Sequence, residues 1–313
     1  MVSCSAGDCV RIGLPCRVGE ATRAVLDKSL CSLSLYFPVC ESGDGKYRHI
    51  DARPRRVRGQ RDGPPASAWC AETLFSPCPE QLESPSALLV LLHGLGDGPE
   101  SYAMLGKRMA LPETAVLSLQ APHSLPLGLG GRSWFEYFES HGDFIEPTPQ
   151  ERRRLRGLAD TRAQLERLVD TLVAGGWSRR DIFFLGFSQG AITAIDLAIH
   201  STKERFGGVV AISGIALVEE DFAGVRSSHT PILATHGLSD EIDEARRQFD
   251  RLRKALADAG SEAPVHWKEF PKGHEMITSE PEMRAVMEFF AQHLDLRHDT
   301  PNGGDNCEVF EVV

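Results

Sequence analysis

The stretch that decides the fold runs from residue 181 to residue 200 and reads DIFFLGFSQGAITAIDLAIH. Its first five residues form a short apolar run typical of a buried strand, and the ten residues from Ala191 onward favour a helix. Between them lies the only G-x-S-x-G of the chain, which covers residues 186–190 and has Ser188 at its centre. A strand that turns sharply into a helix around a glycine-flanked serine is typical of a nucleophile elbow.

Steric crowding explains why positions 186 and 190 of this turn are glycine. A Cβ atom at Gly186 or Gly190 would crowd the neighbouring strand or helix, and the backbone of the central serine is strained. The turn would lift Ser188 Oγ to the carboxyl edge of the sheet, near a helix N-terminus whose N–H groups favour a developing negative charge. The pattern predicts Ser188 as a nucleophile, and an ordinary turn with a glycine-bounded serine is the alternative.

A serine nucleophile needs a base and an acid that orients the base. Behind a nucleophile elbow these follow in the chain order serine, acid, histidine, on loops that come after strands. The apolar run 231–235 leads into HGLSD, which ends at Asp240, and the run 265–270 leads into KGH, which ends at His274. We therefore predict His274 as the base and Asp240 as the acid.

Other residues near these loops compete for the two roles. Asp243 and Glu241 remain alternatives for the acid, but Asp240 comes closest behind its strand. His266 and His293 compete for the base, although the first lies inside a predicted strand and the second inside a predicted helix. We interpret His236 as a packed histidine beside the loop that carries Asp240, which we call the acid loop.

The oxyanion of a tetrahedral intermediate needs two N–H donors, one after the nucleophile and one from the loop behind an early strand. The apolar run 87–92 leads into the glycine-rich loop HGLGDG at 93–98, which opens a helix. The backbone amides of Leu95 and Gln189 are therefore the candidate donors. A phosphate-binding loop is the other interpretation of these glycines, but no G-K-[ST] follows them.

Short apolar runs alternate with amphipathic segments around these motifs, which indicates parallel strands joined by crossover helices. Strands are predicted at 87–92, 114–119, 181–185, 208–212, 231–235 and 265–270. Helices are predicted at 99–110, 149–175, 190–204, 244–259 and 279–294. The sequence thus predicts an α/β-hydrolase fold, with a mostly parallel, doubly wound sheet flanked by helices.

The two ends of the chain differ from this pattern. Residues 1–70 are rich in cysteine and arginine and lack sustained periodicity, so we predict a poorly ordered N-terminal extension. Residues 71–296 are predicted to form the α/β-hydrolase domain, and residues 297–313 a flexible C-terminal tail. Seven of the eight cysteines precede residue 80, at spacings that match no common zinc pattern, so we expect free thiols, no metal and no cofactor.

Charge disfavours one class of partner, and hydropathy excludes a membrane-spanning helix. The formal charge of −10 is uneven, because residues 1–70 carry eleven Lys or Arg against seven Asp or Glu and the remainder is therefore at −14. An acidic body disfavours nucleic acid as a partner.

The apolar runs end well before the roughly 18 residues that a membrane-spanning helix needs. We expect a cytoplasmic location, with organelle import through the N-terminal extension as the alternative, and the sequence leaves the oligomeric state open.

Six segments of the chain resemble the motifs of one known family. They are LLHGLGDG (91–98), APHSLP (121–126), RSWF (132–135), GFSQGA (186–191), THGLSD (235–240) and KGHEM (272–276). In this order they resemble the phospholipase/carboxylesterase family, which includes the acyl-protein thioesterases, and the likeness spans residues 85–294. The chain departs from the family at Ala191, at Gly98-Pro99 and at residues 241–243.

The resemblance implies roles for individual residues and a class of substrate. Ser188, Asp240 and His274 take the catalytic positions, and Leu95 and Gln189 supply the oxyanion amides. The implied substrates are esters and thioesters of fatty acids, including S-acylated proteins and lysophospholipids, cleaved without a metal. Transient contact with a membrane surface is compatible with such substrates.

An apolar, glycine-bearing segment is the candidate acyl groove, and the resemblance places Trp134-Phe135 beside the acyl-binding region. Its apolar residues are Leu125, Leu127, Leu129, Trp134, Phe135 and Phe138. Packing beneath a long loop is the alternative role for these side chains. For the chain as a whole, the alternative to a serine hydrolase is a non-catalytic binding or receptor module. The joint presence of nucleophile, acid, base and oxyanion loop favours the enzyme.

Overall fold

The computed structural model describes residues 85–294, except 129, 149 and 227, and the backbone of three short strands before them. These are β1 (Leu35–Pro38), β2 (Tyr47–Ile50) and β3 (Leu74–Ser76), of which β1 and β2 pair antiparallel. The predicted tail at 297–313, Leu129 and the rest of the predicted N-terminal extension lie outside the described residues. The predicted domain boundaries therefore stay predictions.

A seven-stranded sheet forms the centre of the described part of the chain. The later strands are β4 (Ala87–Leu92), β5 (Thr114–Leu119), β6 (His123–Ser124), β7 (Arg132–Ser133), β8 (Ile182–Phe187), β9 (Gly208–Ile212), β10 (Ile232–Gly237) and β11 (Val265–Phe270). The order in the sheet is β11-β10-β9-β8-β4-β5-β3, with every pairing parallel except the antiparallel pair β3–β5. The predicted mostly parallel sheet is confirmed, and β3 adds an antiparallel edge.

The helices follow the predicted alternation with the strands. They are α1 (Pro99–Met109), α2 (Arg153–Ala174), α3 (Gln189–His200), α4 (Ile242–Asp258) and α5 (Glu280–His293). The start of α2 comes four residues later than predicted, because Glu151 N donates to Thr148 O in a turn that precedes the helix. None of the helices described between residues 85 and 294 is long and apolar enough to cross a membrane.

Both faces of the sheet are covered, which gives the domain two hydrophobic cores. Alternate residues of β4 serve the two faces, since Leu88 and Val90 belong to one core and Leu89 and Leu91 to the other. Buried side chains of α2, α3 and α4 fill the first core, and those of α1 and α5 fill the second. Strands that are buried on both sides read as continuous apolar runs, which is why they were visible in the sequence.

Candidate active site

The carboxyl ends of four strands bring the predicted motifs to one edge of the sheet. Ser188 follows β8, Asp240 comes three residues after β10, His274 follows β11, and Leu95 lies in the loop after β4. All four strands run in the same direction, so their following loops meet at one edge. Ligands of open α/β sheets bind at this edge.

The turn around Ser188 has the strained geometry that the sequence predicts. Ser188 adopts φ 52° and ψ −116°, a region that side-chain-bearing residues rarely occupy. Its N–H donates to Ile212 O at 2.8 Å, which holds the turn against β9. A Cβ on Gly186 would lie 2.3 Å from Gly190 O, and a Cβ on Gly190 would lie 2.2 Å from Leu92 O. Only glycine fits at both positions, as predicted.

His274 lies between Ser188 and Asp240. Its Nε2 is 2.8 Å from Ser188 Oγ, and its Nδ1 is 2.9 Å from Asp240 Oδ2. A carboxylate beside Nδ1 keeps the proton there, so Nε2 presents its lone pair to the serine hydroxyl. Half of the His274 side chain is exposed, whereas that of Asp240 is 11% exposed. The base is therefore within reach of solvent while the acid is shielded.

Of the four competing residues, Glu241 lines the cavity beside Ser188, and the other three lie outside that lining. The Asp243 side chain is 82% exposed in the first turn of α4 and pairs with Arg246. Glu241 is the exposed residue before that helix. His266 is exposed on β11, and the His293 ring packs on Phe289 at 4.7 Å.

His236 packs beside the acid loop, as predicted. Its ring stacks on Trp267 at a centroid distance of 5.6 Å. Its Nε2 donates to Asp240 O at 2.6 Å, and the same nitrogen is 3.3 Å from Asp240 Oδ2. Burial lowers the pKa of His236, so the ring is neutral at neutral pH. The histidine thus holds the acid loop to β10 without adding a charge.

The two candidate oxyanion donors line the same cavity as Ser188. Gln189 is the first residue of α3, where a helix has no acceptor for its own N–H. On either side of Leu95, Gly94 N donates to Tyr102 Oη at 3.2 Å and Gly96 N donates to Arg132 O at 2.9 Å. These bonds hold the loop on both sides of the Leu95 amide.

The side chain of Gln189 has a structural role that the sequence did not reveal. Its Oε1 accepts from Trp134 N at 2.7 Å, and its Nε2 donates to Phe135 O at 3.0 Å. Trp134 Nε1 in turn donates to His93 O at 2.8 Å. The only signal for this arrangement in the sequence was Trp134 itself, because a buried tryptophan needs a partner for its N–H. The residue after the nucleophile therefore fixes the segment that walls the site.

His93 is a second residue that sequence reasoning missed. It is fully buried, its Nδ1 donates to Gly94 O at 2.7 Å, and its Nε2 accepts from Ala121 N at 3.0 Å. Burial lowers the pKa of His93, which is consistent with a neutral ring that has one donor and one acceptor nitrogen. The ring ties the end of β4 to the segment after β5.

The cavity beside Ser188 has a volume of about 420 Å³. Of the predicted acyl-binding residues, Phe135 lines it, whereas Leu125, Leu127 and Trp134 do not. Trp134 is fully buried, and Leu127 is 70% exposed with a left-handed backbone. Apolar walls come instead from Leu95, Phe187, Ile192, Ile215, Ala216, Val218 and Ala245. Among the described residues, no group of three His, Cys, Asp or Glu could hold a metal ion.

Comparisons with known proteins agree on one family. Residues 78–294 match the model of the Phospholipase/Carboxylesterase family. An uncharacterized hydrolase of Mycosarcoma maydis is 30% identical over 66% of this chain and 76% of its own length. Acyl-protein thioesterase 1 of Cryptococcus neoformans is 27% identical over 52% of this chain and 70% of its own. The crystal structure of esterase PE8 aligns with a TM-score of 0.58 at 24% identity, over 72% of this chain and 99% of that chain, which supports the fold.

The family match covers more than half of the chain and includes every motif of the candidate site. The predicted resemblance is confirmed, and so is the fold class. The chain belongs to the phospholipase/carboxylesterase family of α/β-hydrolases.

Proposed function

We propose that this protein is a serine hydrolase that cleaves carboxylic esters or thioesters through an acyl-enzyme, as an acyl-protein thioesterase, a carboxylesterase or a lysophospholipase does. The observation that carries the proposal is the pair of hydrogen bonds that joins Ser188 Oγ to His274 and His274 to Asp240. Membership of the family and the names of the relatives support the same class of reaction.

Acylation begins with transfer of a proton. His274 Nε2 takes the hydroxyl proton of Ser188 as Oγ attacks the carbonyl carbon of the substrate. Asp240 accepts a hydrogen bond from Nδ1 and stabilises the imidazolium that forms. The backbone amides of Leu95 and Gln189 donate to the oxyanion of the tetrahedral intermediate.

The intermediate then collapses. The bond from the carbonyl carbon to the leaving oxygen or sulfur breaks, and His274 gives its proton to that atom, so that an alcohol or thiol leaves. Water attacks the acyl-serine with His274 again as base, and the carboxylic acid is released. The half-exposed imidazole is accessible to this water.

The substrate class is proposed more broadly than a single molecule. S-acylated proteins and lysophospholipids carry a thioester or an ester that this chemistry splits, and transient contact with a membrane surface would bring the enzyme to them. A cytoplasmic location and the absence of a nucleic-acid partner stay predictions. Cell fractionation tests the first of these.

A fluorophosphonate probe tests the proposal directly, because it phosphonylates an activated serine. We expect covalent labelling of the wild type and turnover of p-nitrophenyl acetate, and neither in Ser188→Ala. Ser239→Ala is the matched control, since this serine lies in the acid loop without a role in the reaction. No labelling of the folded wild type, or equal labelling of Ser188→Ala, would leave the binding-module alternative in place.

A further inference from the structure

The cavity beside Ser188 has polar as well as apolar walls. Arg154 from the first turn of α2 lines it, together with Glu244 and Gln248 of α4. Gln248 Nε2 donates to Glu244 Oε1 at 3.1 Å, so these two side chains already have partners, whereas a plain hydrocarbon chain would offer Arg154 no hydrogen-bond acceptor. The cavity therefore suits an acyl group that is partly polar.

Arg154 is the most buried charge in this wall. Its side chain is 7% exposed and pairs with Glu219, whose side chain is 1% exposed, at an Nε–Oε1 distance of 3.2 Å. Its guanidinium carbon lies 4.9 Å from the ring centroid of Tyr137, which also lines the cavity. Within the described residues, Arg154 Nε and both carboxylate oxygens of Glu219 have no well-aligned hydrogen bond. The pair is held by charge and its hydrogen-bonding capacity is not fully used.

Stability does not explain an arginine at this position. Exchanging a buried ion pair for apolar residues of similar volume is often neutral or stabilising. The first turn of α2 contains no acidic residue, and a cation there opposes the helix dipole. Both effects disfavour Arg154, so a binding role accounts for it better than folding does.

The charges around the cavity decide which polar group fits. Glu219 balances Arg154, and Glu244 pairs with Arg247 at 2.5 Å. Glu241 and Asp240 add negative charge to the lining. An anionic acyl group would meet a net negative wall, whereas a neutral oxygen can accept from the guanidinium without disturbing its ion pair.

We propose that the acyl group of the natural substrate carries a neutral oxygen, as a hydroxyl, keto or ether function, which accepts a hydrogen bond from Arg154. This inference rests on the proposed function, because the acyl group enters this cavity only if Ser188 is the nucleophile. The cavity volume of about 420 Å³ lies in the range of small-molecule sites.

A series of p-nitrophenyl esters of equal acyl length tests the inference. One ester is a plain aliphatic acyl, one ends in a carboxylate, and the others carry a single ether oxygen moved stepwise along the chain. We expect kcat/KM to be about tenfold or more higher at one oxygen position than for the aliphatic ester, which is the gain from one hydrogen bond to a charged donor. The carboxylate ester should be the poorest substrate.

Variants assign the preference to Arg154. Arg154→Met alone leaves Glu219 buried without its cation and can fail to fold, so Arg154→Met/Glu219→Leu is made beside it. In the folded variant the ratio of ether to aliphatic kcat/KM should fall to about one, as follows from loss of that hydrogen bond. Arg156 is an exposed arginine two residues further along the same helix, and Arg156→Met should keep the wild-type ratio.

Each outcome decides one question. Hydrolysis of the acetate ester with no preference for any ether position, or with a preference for the carboxylate, overturns the inference and leaves the proposed function intact. A preference that survives in Arg154→Met/Glu219→Leu removes Arg154 as its source. Failure to hydrolyse the acetate ester or any other ester refutes the proposed function itself.

Discussion

Replacement of Lys272 by methionine tests what holds the His274 loop in place. Lys272 Nζ lies 2.8 Å from Glu282 Oε1, and the two side chains are 2% and 0% exposed. The same ammonium donates to Glu275 O at 2.7 Å, and Glu282 Oε1 also accepts from Thr235 Oγ1 at 2.7 Å. The loop with His274 at its centre is thus bound to α5 and to β10 through one buried ion pair.

The magnitude follows from the burial of the pair. Lys272→Met leaves the Glu282 carboxylate buried without its cation, which costs about 3–5 kcal/mol. A domain of this kind has roughly 5–15 kcal/mol of unfolding free energy, so a large share is lost. Lys272→Met/Glu282→Gln removes both charges and keeps an acceptor for Thr235. We expect this double variant to recover most of the loss, because the uncompensated charge is gone.

Urea denaturation of the wild type, both single variants and the double variant measures these free energies as a double-mutant cycle. Lys268→Met is the matched control, since Lys268 also links β11 to α5 but pairs with Glu288 at 3.6 Å on the surface, with side chains 45% and 55% exposed. It should cost at most about 1 kcal/mol.

Two results would contradict this role of the pair: Lys272→Met loses no more unfolding free energy than Lys268→Met, or the double variant is no more stable than Lys272→Met. In either case the buried pair would not be what stabilises the loop. The rate of fluorophosphonate labelling at a temperature where all variants are folded adds a functional measure. It should fall in Lys272→Met and stay at the wild-type level in Lys268→Met.

Three further predictions concern the acid, the turn and pH. Asp240→Asn should lower kcat for p-nitrophenyl acetate by about 10⁴-fold, because the imidazole loses its orienting carboxylate, while Asp243→Asn leaves kcat unchanged. A loss of this size in Asp243→Asn, with none in Asp240→Asn, would reassign the acid. Gly190→Ala should lower both the labelling rate and the unfolding free energy, since its Cβ would lie 2.2 Å from a backbone carbonyl oxygen. Gly273→Ala is the control, because the nearest atom to its Cβ would lie 3.6 Å away, and thermal melting should show little change in its stability. Burial lowers the pKa of His93. Its stabilising contribution is therefore complete above about pH 6.5 and is lost as pH falls through the lowered pKa. Urea titrations should show that the wild type loses more unfolding free energy from pH 7 to pH 5 than His93→Gln does.

The elements of the fold were largely predictable because they depend on patterns along the chain. The four strands β4, β5, β9 and β11 have the predicted bounds. The other two predicted strands, β8 and β10, extend two residues further, through Gly186-Phe187 and His236-Gly237, because those residues pair with neighbouring strands. Glycine weakens a strand by itself, and pairing in the sheet overrides that tendency. The short strands β1, β2, β3, β6 and β7 carried too few residues to show a period.

The catalytic residues were also predictable in part. Motif spacing pointed to Ser188, Asp240 and His274, which do lie within hydrogen-bonding distance of one another. It could not choose between Asp240 and Asp243 with finality, since that depends on α4 beginning at Ile242 and carrying Asp243 to the surface.

By itself, the sequence determined the class of fold and the family and pointed to the loops that meet at the carboxyl edge, because each of these is recorded in short motifs of neighbouring residues. Only the tertiary structure decided which side chains form the cavity. Arg154 reads as one of several arginines in a helix, and its burial against Glu219 requires the packing of segments that are far apart in sequence. The shape and charge of a cavity depend on such long-range contacts, and no local pattern records them.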